Sequence, residues 1–295
     1  MSDYREIAGV NGLAAETQNG KGVRIAVLDT GAPEKAPEEA KIGCPEDKNG
    51  HATEISSILF GKGAVVGICG AATPRFFKVL DDRGFGCAED VARGIKAAIE
   101  AGTDIINLSL GFYRSEECPK ALKDACDEAY NAGITVVCSS GNDGSRVNWP
   151  GALKTTICVG SADKKGLKYG FSSFGEVDFV APGDKLPVIG LDGSVKYVSG
   201  TSFSTAIVSG TAALLFARFK NSAVGTGPEV IKSALRGVAV DVDAPGWDEN
   251  TGFGLIFGKT PEKTPQKSIW GTFKGLFGII FGKLLEITRI FGLGK

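Results

Sequence analysis

Short apolar runs alternate with helical stretches between about residues 22 and 220, and this alternation limits the fold more than any other feature. The runs are rich in β-branched residues and end at Gly, Asp or Ser, which predicts buried strands. Ala88–Glu100 and Lys120–Asn131 instead place apolar residues at helical spacing, so they are predicted helices. The predicted strands are Val23–Leu28, Phe76–Leu80, Ile105–Leu110, Ile134–Cys138 and Thr156–Val159.

Strand–helix–strand repetition predicts an α/β fold with three layers, in which helices cover both faces of a mostly parallel, doubly wound central sheet. Gly200–Phe219 is almost wholly apolar and predicts a long helix through the core. Sheets of this kind bind their ligands at the carboxyl ends of the strands. Polar residues that directly follow a predicted strand are therefore the first candidates for a functional site.

The chain has a single histidine, His51, so any mechanism that needs an imidazole base must use it. A lone histidine is more often an ordinary surface or core residue. Two other residues favour a catalytic role for it. Asp29 ends an apolar strand, and Ser202 opens the predicted core helix.

These three residue types form a known catalytic combination. A serine hydroxyl becomes a good nucleophile when a base removes its proton, and a carboxylate fixes the imidazole tautomer. The order Asp29, His51, Ser202 differs from the chymotrypsin order and excludes the α/β-hydrolase order. Taken singly, Asp29 is equally typical of a turn and Ser202 of a helix cap.

Three motifs make the sequence resemble the subtilase family of serine peptidases, over roughly residues 5–258. They are Val27-Leu28-Asp29-Thr30-Gly31, Asn49-Gly50-His51-Ala52-Thr53 and Gly200-Thr201-Ser202-Phe203-Ser204-Thr205-Ala206. The chain departs from the family at Ala52 and Glu54, where Gly and His are usual, and at Ala206-Ile207, which replaces Pro-His. The resemblance implies a subtilisin-like fold and a serine endopeptidase that acts on peptides or proteins, with Asp29, His51 and Ser202 as its triad.

The resemblance also implies an oxyanion hole and a substrate-binding edge. Asn142, within Ser139-Ser140-Gly141-Asn142-Asp143-Gly144, matches the family's oxyanion-hole asparagine, and the Ser202 backbone N–H would be its partner. Gly-Asn-Asp-Gly is also ordinary turn chemistry. Substrate is expected to pair as an added strand. The matching residues are Gly84, Phe85, Gly86, Ser109, Leu110 and Gly111.

No metal or cofactor is expected. The stretch Gly61–Gly67 occupies the place of the family's calcium loop, yet it offers no carboxylate or amide side chain. No glycine-rich phosphate loop follows the first strand, and the formal net charge of -1 does not favour nucleic acid as a partner.

Seven cysteines, and an N-terminal sequence Met1–Glu6 without an apolar core, predict reduced thiols in a cytoplasmic protein. The expected domains are a catalytic domain over 1–258, a Pro- and Lys-containing linker over 259–267, and an amphipathic basic helix over 268–295. From 259 to 295 seven Lys or Arg face two acids. This segment is predicted to bind a membrane surface or to dock on the catalytic domain.

Three other functions stay open from the sequence. A catalytically silent subtilase-like binding module would lack at least one triad or oxyanion residue, and none is missing. An unrelated hydrolase or nucleotide-binding α/β protein is a second alternative. The third is a protease whose C-terminal segment is the membrane-active or autoinhibitory element.

Overall fold

The computed structural model describes residues 2–114, 117–163 and 165–256. The predicted linker and C-terminal helix, residues 259–295, lie outside the described residues. The strands are β1 Ser2–Asp3, β2 Arg24–Asp29, β3 Val65–Val66, β4 Thr73–Lys78, β5 Ile105–Leu108, β6 Thr135–Ser139, β7 Ile157–Ala162, β8 Phe179–Pro182, β9 Leu186–Ile189 and β10 Val195–Val198. The helices are α1 Tyr4–Ile7, α2 Asn11–Glu16, α3 His51–Phe60, α4 Ala88–Glu100, α5 Lys120–Asn131, α6 Thr201–Phe219 and α7 Pro228–Val238, with a 3-10 turn at Glu38–Ala40.

Six parallel strands form the central sheet, in the order β4-β2-β5-β6-β7-β8. Two small sheets accompany it, the parallel pair β1-β3 and the antiparallel hairpin β9-β10. The predicted α/β architecture, with its mostly parallel central sheet and flanking helices, is confirmed. Chain order reverses at β2, because β4 lies on one side of this strand and β5 on the other.

Alternate residues of each strand serve opposite faces of the sheet. Ala26 and Leu28 of β2 face the cluster that buries the apolar sides of α4 and α5. The opposite face carries α6, as Asn107 of β5 shows by accepting a hydrogen bond from Ser209 at 2.9 Å. Helices on both faces leave the carboxyl edge of the sheet as the place where side chains can meet a ligand.

Helix α6 runs through the core, as its apolar sequence predicts. Its composition would suit a membrane span, with a mean hydropathy of 1.3, but 89% of that window is buried inside the protein. Gly210 lies against Ile68, and a Cβ added there would come within 2.9 Å of the Ile68 side chain. The close packing fixes the helix along its length, and so fixes its first turn.

The observed strands differ from the predicted ones at their ends. Strand β5 ends at Leu108 and not at Leu110, because the carbonyls of Ser109 and Leu110 accept side-chain bonds from Ser202 and Ser139. Strand β4 begins at Thr73, three residues earlier than its apolar run. Strand β8, the β9-β10 hairpin and α7 were not predicted.

Candidate active site

The three residues singled out from the sequence lie at the carboxyl edge of the sheet. Asp29 is the last residue of β2, His51 is the first residue of α3, and Ser202 lies in the first turn of α6. Ser109 follows the end of β5, the neighbour of β2. The site therefore lies where strand order reverses, the usual position for a ligand in such a sheet.

Asp29 and His51 form the closest side-chain pair of the site. Nδ1 of His51 lies 2.8 Å from Oδ1 and 2.9 Å from Oδ2 of Asp29. The Thr30 N–H also donates to Oδ1 of Asp29, at 2.7 Å. Asp29 is fully buried, while 25% of the His51 side chain is exposed. The Asp29 carboxylate thus fixes the ring through Nδ1 and leaves Nε2 available toward the cleft.

The charge around His51 favours the imidazolium. Burial lowers the pKa of His51, but the negative charge and hydrogen bond of Asp29 outweigh it and raise the pKa above its ordinary value. Glu54 and Asp47 add to the upward shift. A base that is stabilised on protonation suits removal of a proton from a hydroxyl.

Asp47 organises the turn that leads into α3, and no sequence pattern pointed to it. Its Oδ1 accepts from the Thr30 hydroxyl at 2.9 Å and from the Asn49 and Gly50 N–H groups at 3.0 and 2.9 Å. Its Oδ2 accepts from the N–H and hydroxyl of Thr53 at 2.9 and 2.7 Å. Burial raises the pKa of this carboxyl, but these hydrogen bonds outweigh it and hold the pKa below its ordinary value.

Thr30 connects the end of β2 to the start of α3. Its hydroxyl donates to Asp47 and accepts from the Ala52 N–H at 3.1 Å, so one side chain joins the aspartate strand to the histidine helix. Gly31 lets the two segments approach, since a Cβ there would come within 2.7 Å of the Asp47 backbone. Its φ of +151° is also unfavourable for a residue with a side chain.

The Ser202 hydroxyl donates to the carbonyl oxygen of Ser109 at 3.0 Å, and the Ser109 hydroxyl donates back to the Ser202 carbonyl at 2.8 Å. In the described part of the chain, the His51 ring hydrogen-bonds to Asp29 alone and packs 5.8 Å from the Phe203 ring. Proton transfer to His51 therefore requires that the Ser202 hydroxyl exchange its bond to the Ser109 carbonyl for one to the ring. Catalytic hydrogen bonds are often incomplete without substrate.

Asn142 is hydrogen-bonded to Thr201, the residue directly before Ser202 in α6. Its Oδ1 accepts from the N–H and the hydroxyl of Thr201, at 2.8 and 3.0 Å, which fixes the amide and leaves Nδ2 as a donor. Nδ2 lies 3.5 Å from the place where a Cβ of Gly200 would stand. The Ser202 N–H belongs to the first helical turn, which has no intrahelical acceptor. Two N–H donors are thus available beside the hydroxyl.

A cavity of about 480 Å³ extends from His51. All six residues that the resemblance assigns to substrate binding line it, namely Gly84, Phe85, Gly86, Ser109, Leu110 and Gly111. Phe85 is 70% exposed and Tyr113, which also lines the cavity, is 80% exposed. The cavity thus presents the backbone of residues 84–86 and 109–111, together with the exposed rings of Phe85 and Tyr113, to an extended chain.

Glu54 is a second residue whose role the sequence did not reveal. Its carboxylate is buried in α3, one turn after His51, and is paired with the ammonium of Lys196 from β10. The pair links the hairpin to the histidine helix. Its negative charge is one of those that raise the pKa of His51.

Among residues 2–114, 117–163 and 165–256, no group of three or more His, Cys, Asp or Glu side chains is arranged to hold a metal ion. All seven cysteines are unpaired thiols. The side chains gathered at the sheet edge are thus a carboxylate, an imidazole, a hydroxyl and an amide, a set suited to nucleophilic attack on a carbonyl.

Comparison with known proteins agrees with this chemistry. The model of the Subtilase family matches residues 20–254. The minor extracellular protease Epr of Bacillus subtilis is 32% identical over 251 residues, which are 80% of this chain and 38% of that protein. A thermostable alkaline protease of Halalkalibacterium halodurans is 34% identical over 68% of this chain. The chain spans 38% and 58% of the length of these two relatives.

Two solved structures show the same fold. The prenylagaramide maturation protease PagA has a TM-score of 0.72 and 28% identity, and the match covers 83% of this chain and 95% of PagA. A point mutant of the PatA protease domain has a TM-score of 0.70 and 26% identity, over 87% of this chain and 95% of that domain.

Proposed function

The chain belongs to the subtilase family, and on that premise we propose that it is a serine endopeptidase that hydrolyses peptide bonds through Asp29, His51 and Ser202. The observation that carries the proposal is the pairing of buried Asp29 with His51 beside a serine at the start of a core helix. Peptide or protein substrates follow from this chemistry. Both solved relatives, PagA and PatA, are named as proteases.

In the proposed reaction His51 removes the proton from the Ser202 hydroxyl, and the oxygen attacks the carbonyl carbon of the substrate. Asp29 keeps Nδ1 protonated and stabilises the imidazolium as it forms. Nδ2 of Asn142 and the N–H of Ser202 donate to the oxyanion. His51 then returns the proton to the leaving amine, and water releases the acyl group by the same steps in reverse.

Substrate would lie as an extended strand along the 480 Å³ cavity, pairing with the backbone of residues 84–86 and 109–111. Exposed Phe85 would wall a site for an apolar side chain of the substrate. A silent binding module is the poorer explanation, because every residue of the triad and of the oxyanion hole is present.

A serine-reactive fluorophosphonate probe tests the proposal most directly. The purified protein should be labelled at Ser202 and should cleave casein-like substrates, while Ser202→Ala should do neither. Ser209→Ala is a matched control, since that serine lies on the same helix and its hydroxyl is committed to Asn107. Labelling elsewhere, or none in a folded protein, would refute the assignment.

We also propose a cytoplasmic location, with segment 268–295 bound to an anionic membrane surface. Seven unpaired thiols support the location, and basic residues among Trp, Phe and Leu support the membrane contact. The full-length protein should sediment with anionic vesicles, and a chain ending at Gly258 should stay in solution. If both stay in solution and the shorter chain is more active, the segment is an autoinhibitor instead.

A further inference from the structure

Lys78 is the last residue of β4 and lies directly beside Asp29, its register partner on β2. Its ammonium donates to the Thr30 carbonyl and, at 2.9 Å, to Oδ1 of Asp82. The Lys78 side chain is 21% exposed, against 54% for that of Asp82. One cation therefore joins the residue that follows Asp29 to the chain that follows β4.

The Thr30 carbonyl belongs to a fully buried residue whose other polar groups are already bonded. Its N–H donates to Asp29, and its hydroxyl bonds to Asp47 and to the first turn of α3. A hydrogen bond from a cationic donor is roughly twice as strong as one between neutral groups. The Lys78 ammonium thus completes the hydrogen bonding of the residue that links β2 to α3.

Asp82 belongs to the loop 81–86, which supplies one of the two backbone segments along the cavity. Oδ1 of Asp81, the first residue of the loop, accepts from two backbone N–H groups further along it, both at 2.9 Å. The Asp82 carboxylate pairs with Lys78, and the Asp82 carbonyl accepts from Nδ2 of Asn49 at 3.2 Å. The loop is thus closed on itself and is held at Asp82 from two sides.

Cavities border this loop on two sides. A second cavity, of about 460 Å³, is lined by Lys78 and Asp81. Leu80 and Phe85 line both this cavity and the one of the candidate active site. An element bordered by open space gains less from packing than one in close contact on every side. The position of the loop therefore depends on the polar bonds at Asp82.

These bonds close into a circuit. The Thr30 hydroxyl donates to Asp47, which accepts from the Asn49 N–H. The Asn49 side chain donates to the Asp82 carbonyl. Lys78 then joins the Asp82 carboxylate to the Thr30 carbonyl. The circuit connects the end of β2, the turn before α3 and the loop, so a shift of the loop is passed to the two segments that carry the catalytic pair.

We propose that Lys78 is a positioning residue that couples substrate pairing on the loop 81–86 to the alignment of Asp29 and His51. This inference rests on the proposed function and concerns the acceleration that a longer peptide gains. Binding energy from remote parts of a substrate raises kcat when it orients the reacting groups. A partly exposed ion pair contributes little stability by itself, so a role in holding the fold accounts poorly for the arrangement.

The experiment uses acetylated peptide p-nitroanilides of two and of four residues that share the residue next to the anilide. In the wild type the longer substrate should have the higher kcat. Lys78→Met keeps the length of the side chain and removes its charge, so kcat for the four-residue substrate should fall about tenfold. The two-residue substrate is too short to pair along the loop, so its kcat should stay within about twofold.

Three further variants sharpen the test. Lys78→Arg keeps a cationic donor and should restore most of the lost kcat. Asp82→Ala removes the other end of the pair and should reproduce the loss, and combining it with Lys78→Met should be no worse than either single change. Lys120→Met is the matched control, because it breaks an ion pair of the same spacing, with Asp124 on α5, and Lys120 does not line the cavity. It should leave both substrates unchanged.

The outcomes separate this inference from the proposed function. Fluorophosphonate labelling of each variant first shows that Ser202 is still reactive. If both substrates lose kcat equally, if only KM changes, or if Asp82→Ala behaves like the wild type, the coupling role of Lys78 is wrong and the peptidase proposal stands. If Lys78→Met does not fold, Asp82→Ala gives the same test, because it leaves the bond from Lys78 to Thr30 in place. If the wild type is neither labelled nor active, the proposed function fails and this inference fails with it.

Discussion

The two halves of the cleft are built in different ways. On the Asp29–His51 side the polar groups are paired, and Asp47 alone accepts five hydrogen bonds that join the end of β2 to α3. On the Asn142–Ser202 side the Ser202 hydroxyl donates to the Ser109 carbonyl, and the Asn142 amide oxygen accepts from the Thr201 N–H, which leaves Nδ2 of Asn142 as a donor. In the proposed mechanism, the half that handles the proton is assembled in advance, whereas the half that handles the carbonyl is completed by substrate.

The difference has an energetic reason. A buried carboxylate such as that of Asp29 costs free energy unless its hydrogen bonds are satisfied. The Asp29 half must therefore be complete before substrate arrives. Donors at a helix end, by contrast, can face solvent at little cost. Substitutions in the first half should therefore affect folding and the pKa of His51, and those in the second half should act mainly on turnover.

The largest effect is expected where the two halves meet. His51→Ala and Ser202→Ala should each lower kcat by about 10⁶-fold, which is the size of the loss when the same residue types are removed from a subtilisin. The double variant should be no worse than either single one, because the two groups act as a unit. Single-turnover measurements check this. Additive losses would show that the two halves act independently.

Asn142→Ala should lower kcat by about 10²–10³-fold with little change in KM, a magnitude that also comes from a subtilisin. The same side chain accepts from the N–H of Thr201, so the melting curve should report a loss of about 1 kcal/mol, as for a helix cap. Asn250→Ala, a change at an asparagine outside the cavity-lining set, is the control. An activity within twofold of wild type would remove Asn142 from the oxyanion hole.

Asp47→Ala should lower the free energy of unfolding by about 2–4 kcal/mol, because it leaves several buried donors without an acceptor. Asp47→Asn keeps the shape and should cost less. The folded-state pKa of Asp47 is depressed, so its contribution is present above the ordinary Asp pKa, about 3.9, and is lost as the pH falls through the folded-state value.

Urea unfolding at neutral pH and near pH 3 checks this dependence. The gap between wild type and Asp47→Asn should be largest at neutral pH and should shrink on acidification. A gap that is constant with pH would assign the whole effect to packing.

Glu54→Gln should have the smallest effect. It removes a negative charge that raises the pKa of His51, so the acid limb of the kcat/KM profile should move to lower pH, with more activity retained in mild acid. Glu100→Gln, a change at an exposed acid that does not contribute to that shift, should leave the limb in place. A shift in the opposite direction would mean that the loss of the Lys196 contact, and not the charge, dominates.

Local sequence patterns predicted the parts of the molecule that depend on neighbours along the chain. The α4 and α5 boundaries agree with their apolar spacing, and α6 begins one residue after its predicted start. Asp29, His51 and Ser202 were identified through motifs, and the structure brings Asp29 and His51 together. The parallel direction of the strands follows from their connection by helices, whereas the strand order β4-β2-β5-β6-β7-β8 was not predicted.

Two of the missed features depend partly on residues that are distant in sequence. Asp47 is connected to Thr30, seventeen positions earlier, and Glu54 to Lys196 on the β10 hairpin. Neither partner is visible in a periodic pattern. Helix α7 was readable, since Pro228 stands at its first position and Ile231, Ala234 and Leu235 share one face. The short β8 offered only four residues, the last of them Pro182.

The position of Ser202 on helix α6 ties the formation of the active site to the completion of folding. It carries Ser202 at one end and buries sixteen of its nineteen residues, so the hydroxyl is positioned only after the helix has docked on the finished sheet. A ribosome delivers this helix long after Asp29 and His51. In the proposed mechanism, a nascent or half-unfolded molecule therefore lacks a placed nucleophile and cannot cleave other copies of the chain until it has folded.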